Sequence, residues 1–214
     1  MINELEKIDT HKHEIIIKWQ LFEKAGKNIP LRRDLFQMAV IIAYQKYGYK
    51  TTASVFDKKS LNRLIDISEI LKIELPFIKI ANRRDLDWLI GEVPRKIPVY
   101  VSVKEAFPGL YGDLDGEGLS GDDKTKIKLL CCVSKYPATL EEYEKEFTEE
   151  SGCYGHRGLG AYCLERNVSD HTIGLDLFKK YQPRIWEKHY KLSDSTGLDA
   201  GPFAITPEEL KEVL

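Results

Sequence analysis

The chain has little cysteine, almost no net charge and no long apolar run. Its longest apolar stretch falls far short of the roughly 20 residues that a membrane-spanning helix needs. The start, Met1-Ile2-Asn3-Glu4-Leu5-Glu6-Lys7, is charged and has no apolar core, so it does not read as a signal peptide. Four cysteines are too few for a disulfide scaffold, and Cys131, Cys132, Cys153 and Cys163 lack zinc spacing. Reduced thiols in a cytoplasmic protein are the expectation. A net charge of −2 excludes a global electrostatic pull toward nucleic acid or membrane. Gly116-Glu117-Gly118-Leu119-Ser120-Gly121 matches Gly-x-Gly-x-x-Gly as a string, but it sits within a Gly- and Asp-rich stretch rather than between a strand and a helix, and no Walker pattern occurs, which argues against a nucleotide site.

What is present is a rhythm. The 14–22 stretch is apolar and rich in β-branched residues, as in strands buried on both faces. Further strands are predicted at 50–56, 76–81, 98–104, 127–133, 161–167 and 185–190. Helices are predicted at 33–47, 58–71, around 85–92, and at 139–147, 173–181 and 206–214. Asp57 is placed to cap the second helix, and Thr139 with Glu142 forms a capping box. Alternation of this kind gives an α/β parallel sheet. The 107–125 stretch breaks it: Gly- and Asp-rich, it reads as a long loop without the spacing of a calcium site.

Several strands carry polar residues on one face near their carboxyl ends. These are Lys18 and Gln20, Ser54, Lys79, Ser102, Ser134, and Glu187 with His189. A closed barrel would gather them at its mouth, and an open doubly wound sheet would also place ligands at its strand ends. A lysine inside an apolar strand is costly unless an anion meets it. His171 and His189 end two strand-like runs, and two neutral imidazoles with carboxylate or water oxygens suit Mn, Zn or Fe(II). The plainer reading is that each caps a strand and bonds to backbone.

Taken together, certain stretches resemble the sialic acid synthases, which join phosphoenolpyruvate to an amino sugar. They are Lys18-Trp19-Gln20, Ser54-Val55-Phe56-Asp57, Phe77-Ile78-Lys79-Ile80, Pro98-Val99-Tyr100-Val101-Ser102 and Cys132-Val133-Ser134-Lys135-Tyr136-Pro137. Ser169-Asp170-His171-Thr172, Glu187-Lys188-His189-Tyr190, Gly197-Leu198-Asp199 and Pro207-Glu208-Glu209-Leu210 follow in the family's order. The resemblance implies one domain over 1–214, a TIM-type β/α barrel that is incomplete, with about seven parallel strands. It implies a phosphoenolpyruvate-dependent transferase of carbohydrate biosynthesis. His171 and His189 would bind a divalent metal, usually Mn, with Mg, Zn or Fe as alternatives. Lys18, Gln20, Ser54, Lys79, Asn82, Arg84, Ser102, Ser134 and Ser169 would line the substrate site. Asp199 would orient metal-bound water or the sugar, and Tyr136 would line the same mouth.

The chain also departs from that pattern. The family's first strand and its glutamate have no counterpart, and neither has its antifreeze-like domain. Asn82 stands where the family has a phosphate-contacting Ser, Arg84 where it has a sugar-side Glu, and Ser134 where it has Asn. An acid replaced by Arg84 inverts the local charge, which favours an anionic ligand over a neutral amino sugar. Three readings follow: a condensing enzyme, a diverged homologue that holds an anionic metabolite, or a barrel completed by a homodimer or partner chain at its open edge.

Overall fold

Alternation along each strand sends successive side chains to opposite faces of the sheet, and that sorting builds both the core and the site. The computed structural model describes residues 1–9, 14–23, 29–81, 89–103, 127–147 and 167–214. Among these are strands β1 (Ile16–Leu21), β2 (Lys50–Val55), β3 (Ile78–Ile80), β4 (Val99–Val103), β5 (Ile127–Cys132), β6 (Asn167–Asp170) and β7 (Ile185–Lys188). They form one parallel sheet in chain order, β1 to β7. The described helices are α1 (Ile2–Ile8), α2 (Arg33–Ile41), α3 (Lys58–Leu71), α4 (Leu140–Phe147), α5 (Asp176–Tyr181) and α6 (Pro207–Lys211).

The outward residues pack under the helices. Ala53, Val55, Ile78, Ile80, Val99 and Val101 meet Phe36 and Val40 of α2 and Leu61, Leu64 and Ile67 of α3. A second cluster joins Cys131 and Val168 to Tyr143 of α4 and Leu177 of α5. Asp57 caps α3: its carboxylate accepts from the Ser60 N–H at 2.8 Å, as the sequence predicts. The inward residues form a floor in which Phe77 stacks on Tyr100 with centroids 4.2 Å apart, beside Leu130, Ile16 and Ile185.

Ile16 and Ile185 come from the first and last strands, so the sheet curls until its edges approach. Lys18 of β1 also lies 3.6 Å from Glu187 of β7. Among the described residues no backbone ladder joins β1 to β7. The fold is thus the expected incomplete barrel, its seam crossed by side chains. Outside, α1 packs beside α6, and the Tyr47 hydroxyl donates to Asn3 Oδ1 at 3.2 Å.

The structure moves some boundaries. Residues 1–9, given no element from sequence, contain α1, whose one buried side chain is Leu5. The helix predicted at 33–47 ends in a π-helical turn, Ile42–Lys46. The sixth strand, expected at 161–167, is Asn167–Asp170. Its polar residues hide a strand whose partners are already in place, with Val168 opposite Cys131. Residues 161–166, the 107–125 stretch, Cys153 and Cys163 lie outside the described residues.

Candidate active site

The inner faces of six strands contribute to one polar cup. In the sheet register Gln20 lies opposite Ser54, Ser54 opposite Lys79, and Ser169 opposite both Cys132 and Glu187. Lys18 Nζ donates to Ser54 Oγ at 2.7 Å. Lys79, only 5% exposed, donates to Ser169 Oγ at 3.3 Å and to Glu187 Oε1. Ser169 Oγ also donates to Glu187 Oε1, at 2.6 Å. Ser102 Oγ is buried beside the Cys132 thiol, a weak partner that leaves most of its hydrogen-bonding capacity for a ligand oxygen.

Two ammonium groups thus share one carboxylate. Burial works against the Glu187 charge, but Lys18 and Lys79 outweigh it and hold the carboxyl well below the usual range. Burial pulls Lys18 below its ordinary value, Glu187 opposes this, and Lys79 adds to the lowering. Counting Asp199 at the mouth, whose carboxyl is also held below its usual range, two ammonium groups and two carboxylates balance, so the lysines offer an anion local donors rather than a net positive field.

Above the cup stand the two imidazoles, ring centroids 5.6 Å apart. His171 Nδ1 lies 2.8 Å from the Val133 carbonyl. A carbonyl only accepts, so Nδ1 carries the proton and Nε2 keeps its lone pair. Burial, with His189 and Lys79 close by, lowers its pKa to about 4, so the ring is neutral near pH 7. His189 Nδ1 pairs with Asp199 Oδ1 at 3.2 Å, and Gln20 Nε2 donates to the same oxygen at 2.9 Å. The His189 contact, more than any other, lowers the Asp199 pKa. Among the described residues each imidazole therefore has one nitrogen engaged and no partner bonded to the other, the arrangement of metal-binding histidines with an outer partner. No group of three or more His, Cys, Asp or Glu is placed to hold a metal among the described residues. An ion here would take two protein nitrogens and complete its shell with water or ligand oxygens.

Tyr136 lies over His171, centroids 4.0 Å apart, and is itself 55% exposed at the mouth. Phe203 packs edge-on against Tyr136 and His189 at 5.0 and 4.9 Å. A side chain at Gly201 would meet the Phe203 ring, whose Cδ1 lies 2.9 Å from that Cβ position.

The structure thus brings Lys18, Gln20, Ser54, Lys79, Ser169, His171, His189 and Asp199 into one linked set, with Ser102 and Tyr136 bordering it. Ser134 lies exposed past the end of β5 and makes none of these bonds. Asn82 and Arg84 lie outside the described residues. Sequence reasoning put Glu187 on the inner face but gave it no role, although its spacing of two from His189 was the available signal. Cys132 has no site role in the sequence reading beyond a reduced thiol within a family-like stretch. Its Sγ lies 3.8 Å from His171 Nδ1, and burial raises its pKa.

No protein-family model matches the chain, and no curated protein is similar to it in sequence. Solved structures are similar in fold. An N-acetylneuraminic acid (sialic acid) synthetase from Leptospira borgpetersenii, in complex with citrate, superposes with a TM-score of 0.68 at 22% identity; the match covers 100% of this chain and 74% of that one. A protein assigned to spore coat polysaccharide biosynthesis, protein E, from Chromobacterium violaceum gives 0.70 at 19% identity, covering 99% of this chain and 66% of that one. At these identities the likeness establishes the fold: the chain has the barrel architecture of a sialic acid synthetase, over about two-thirds to three-quarters of those proteins' length.

Proposed function

We propose that the chain is a sialic acid synthase-like transferase that condenses phosphoenolpyruvate with an aldehyde sugar and releases phosphate. The observation that supports this reading most is the convergence of Lys18, Lys79 and three serine hydroxyls beneath two imidazoles, each with one nitrogen unengaged among the described residues. Phosphoenolpyruvate carries a phosphate and a carboxylate, and two ammonium groups with Ser54, Ser102 and Ser169 can bind both. The enol carbon would bond to the aldehyde carbon, water would add to the phosphate-bearing carbon, and the bond from that carbon to the phosphate oxygen would break. Asp199 would hold His189 in one tautomer and accept from a water or sugar hydroxyl. Tyr136 would give the sugar a flat wall. His171 and His189 would hold a divalent ion through Nε2, with Mn the first choice. When bound, it would supply the polarisation that an aldehyde oxygen needs.

Glu187 favours a second reading. It already neutralises much of the charge that an anion would meet, as in a diverged homologue that binds an anionic metabolite weakly. The unladdered seam likewise fits a barrel completed by a second copy or another chain.

Incubation with Mn, phosphoenolpyruvate and a panel of aldoses should release phosphate. Silence across the panel with phosphoenolpyruvate binding intact would replace the first reading by the second. His171→Ala should lose Mn retention, and unchanged retention would remove the metal from the site.

A further inference from the structure

Behind the cup, on the opposite face of β6 and β7, lies a second polar cluster that the proposed chemistry does not use. Asp170 and Lys188 are directly opposed in the β6–β7 register. Their side chains are almost fully buried, and Lys188 Nζ lies 3.0 Å from Asp170 Oδ2. The same carboxylate oxygen accepts from the Trp186 indole at 2.9 Å. Asp170 Oδ1 accepts from the Thr172 N–H and hydroxyl, each at 2.7 Å. Lys188 Nζ also donates to the Thr172 carbonyl at 2.6 Å.

We infer that the Asp170–Lys188 pair is a positioning device that sets the spacing and orientation of His171 and His189. The inference rests on the reading of those imidazoles as metal ligands. Strand alternation supplies the first argument. Asp170 sits between Ser169 and His171, and Lys188 between Glu187 and His189, so each outward residue of the pair is flanked by two inward residues of the site. The second argument is the edge. Among the described residues β7 has a ladder only with β6; past its end the Ile205 N–H donates to the His189 carbonyl at 2.9 Å, which ties β7 to the C-terminal segment rather than to β6. The Asp170–Lys188 pair joins β7 to β6 at the last ladder position before the histidines. The third is the backbone after His171. Thr172 is held at its N–H, hydroxyl and carbonyl by this one pair, while the His171 N–H donates to the Tyr143 hydroxyl at 3.1 Å. The fourth is energetic. A buried ion pair adds little stability over apolar residues of similar size, but its geometry is exacting. Its worth here lies in placement.

That separation makes the inference testable. Asp170→Leu with Lys188→Met replaces the pair by apolar side chains; because the Trp186 indole and the Thr172 N–H, hydroxyl and carbonyl lose their partners, the melting temperature should fall, with circular dichroism showing that the fold is kept. Mn2+ affinity, read by electron paramagnetic resonance, should fall about tenfold or more, as for lost outer-shell partners. In metal-free protein at fixed pH, the carbon-bound imidazole resonances of His171 and His189 should both move. A folded double variant with the parent's resonances and affinity overturns the inference. If the parent itself takes up no Mn2+, the metal reading fails, yet the resonances still decide the positioning role. If the double variant does not fold, Trp186→Phe removes one bond to Asp170; it should displace both sets of resonances by a smaller amount, and no displacement overturns the inference.

Discussion

The edge strands β1 and β7 and the inner strands β2 to β6 carry the same kind of side chain in different surroundings. Three of the inner strands' cup residues, Ser54, Lys79 and Ser169, are buried. Along β7 no residue is fully buried, and along β1 only Leu21 is. The inner wall is held by ladders on both sides, whereas the seam is held by side chains: Lys18 with Glu187, Gln20 with Asp199, and Ile16 with Ile185 in the floor. The candidate site draws on both regions. Lys79, Ser169 and His171 come from the rigid side; Lys18, Gln20, Glu187 and His189 come from the side with fewer restraints. Order at the edges is thus supplied partly by the site's own charges.

The largest test of that contrast compares the two lysines. Lys79→Ala removes the nearer cation from a buried carboxylate and should lower unfolding free energy by about 3–5 kcal/mol. Lys18→Ala leaves the same carboxylate still bonded to Lys79 and removes a cation 3.6 Å away, so it should cost less, about 1 kcal/mol. Urea denaturation of both variants measures the difference. Equal losses would mean that the seam is as tightly closed as the inner wall.

An intermediate effect is expected at Asp57, which ties the two regions together. Its Oδ1 caps α3 through Ser60, and its Oδ2 accepts from the N–H of Glu23, just beyond β1, at 2.9 Å. Asp57→Ala should cost about 1–2 kcal/mol. Burial opposes the Asp57 charge, but its bonds to Glu23 and Ser60 hold the folded pKa below the ordinary 3.8. The depressed value fixes the sign: the ionised-state contribution is complete above the unfolded pKa and is lost as pH falls through the folded one. The gap between parent and variant should therefore be constant near neutrality and shrink in acid. A gap that widens in acid would contradict the cap.

The β/α rhythm was legible because an apolar run with period two states both its conformation and its faces. The cup was legible for the same reason, since Lys18 and Gln20, or Glu187 and His189, differ by two positions and must share a side. What depends on register was not legible. Glu187 acquires its role only when Lys79, 108 residues earlier, reaches it across the barrel. Asp170 and Lys188 read as polar interruptions until β6 and β7 are set side by side. The helix α1 escaped notice because seven residues with one buried leucine carry too little periodicity to separate from a charged tail.

The smallest effect should come from the upper end of the seam. Gln20→Ala removes a partly exposed hydrogen bond to Asp199 and should cost only a few tenths of a kcal/mol, within the range of about ±0.5 for surface changes. Its interest is local. Asp199 Oδ1 is shared between Gln20 and His189, so losing the amide frees that oxygen for the imidazole and slackens the one described hydrogen bond from β1 to the segment after β7. Hydrogen exchange should quicken at β1 amides while those of β3 and β5 keep the parent rate. Uniform acceleration across all of these strands would mean that edge and wall open as one unit, and the division drawn here would fail. Acceleration confined to β1 would show that the site's two halves separate before the sheet does.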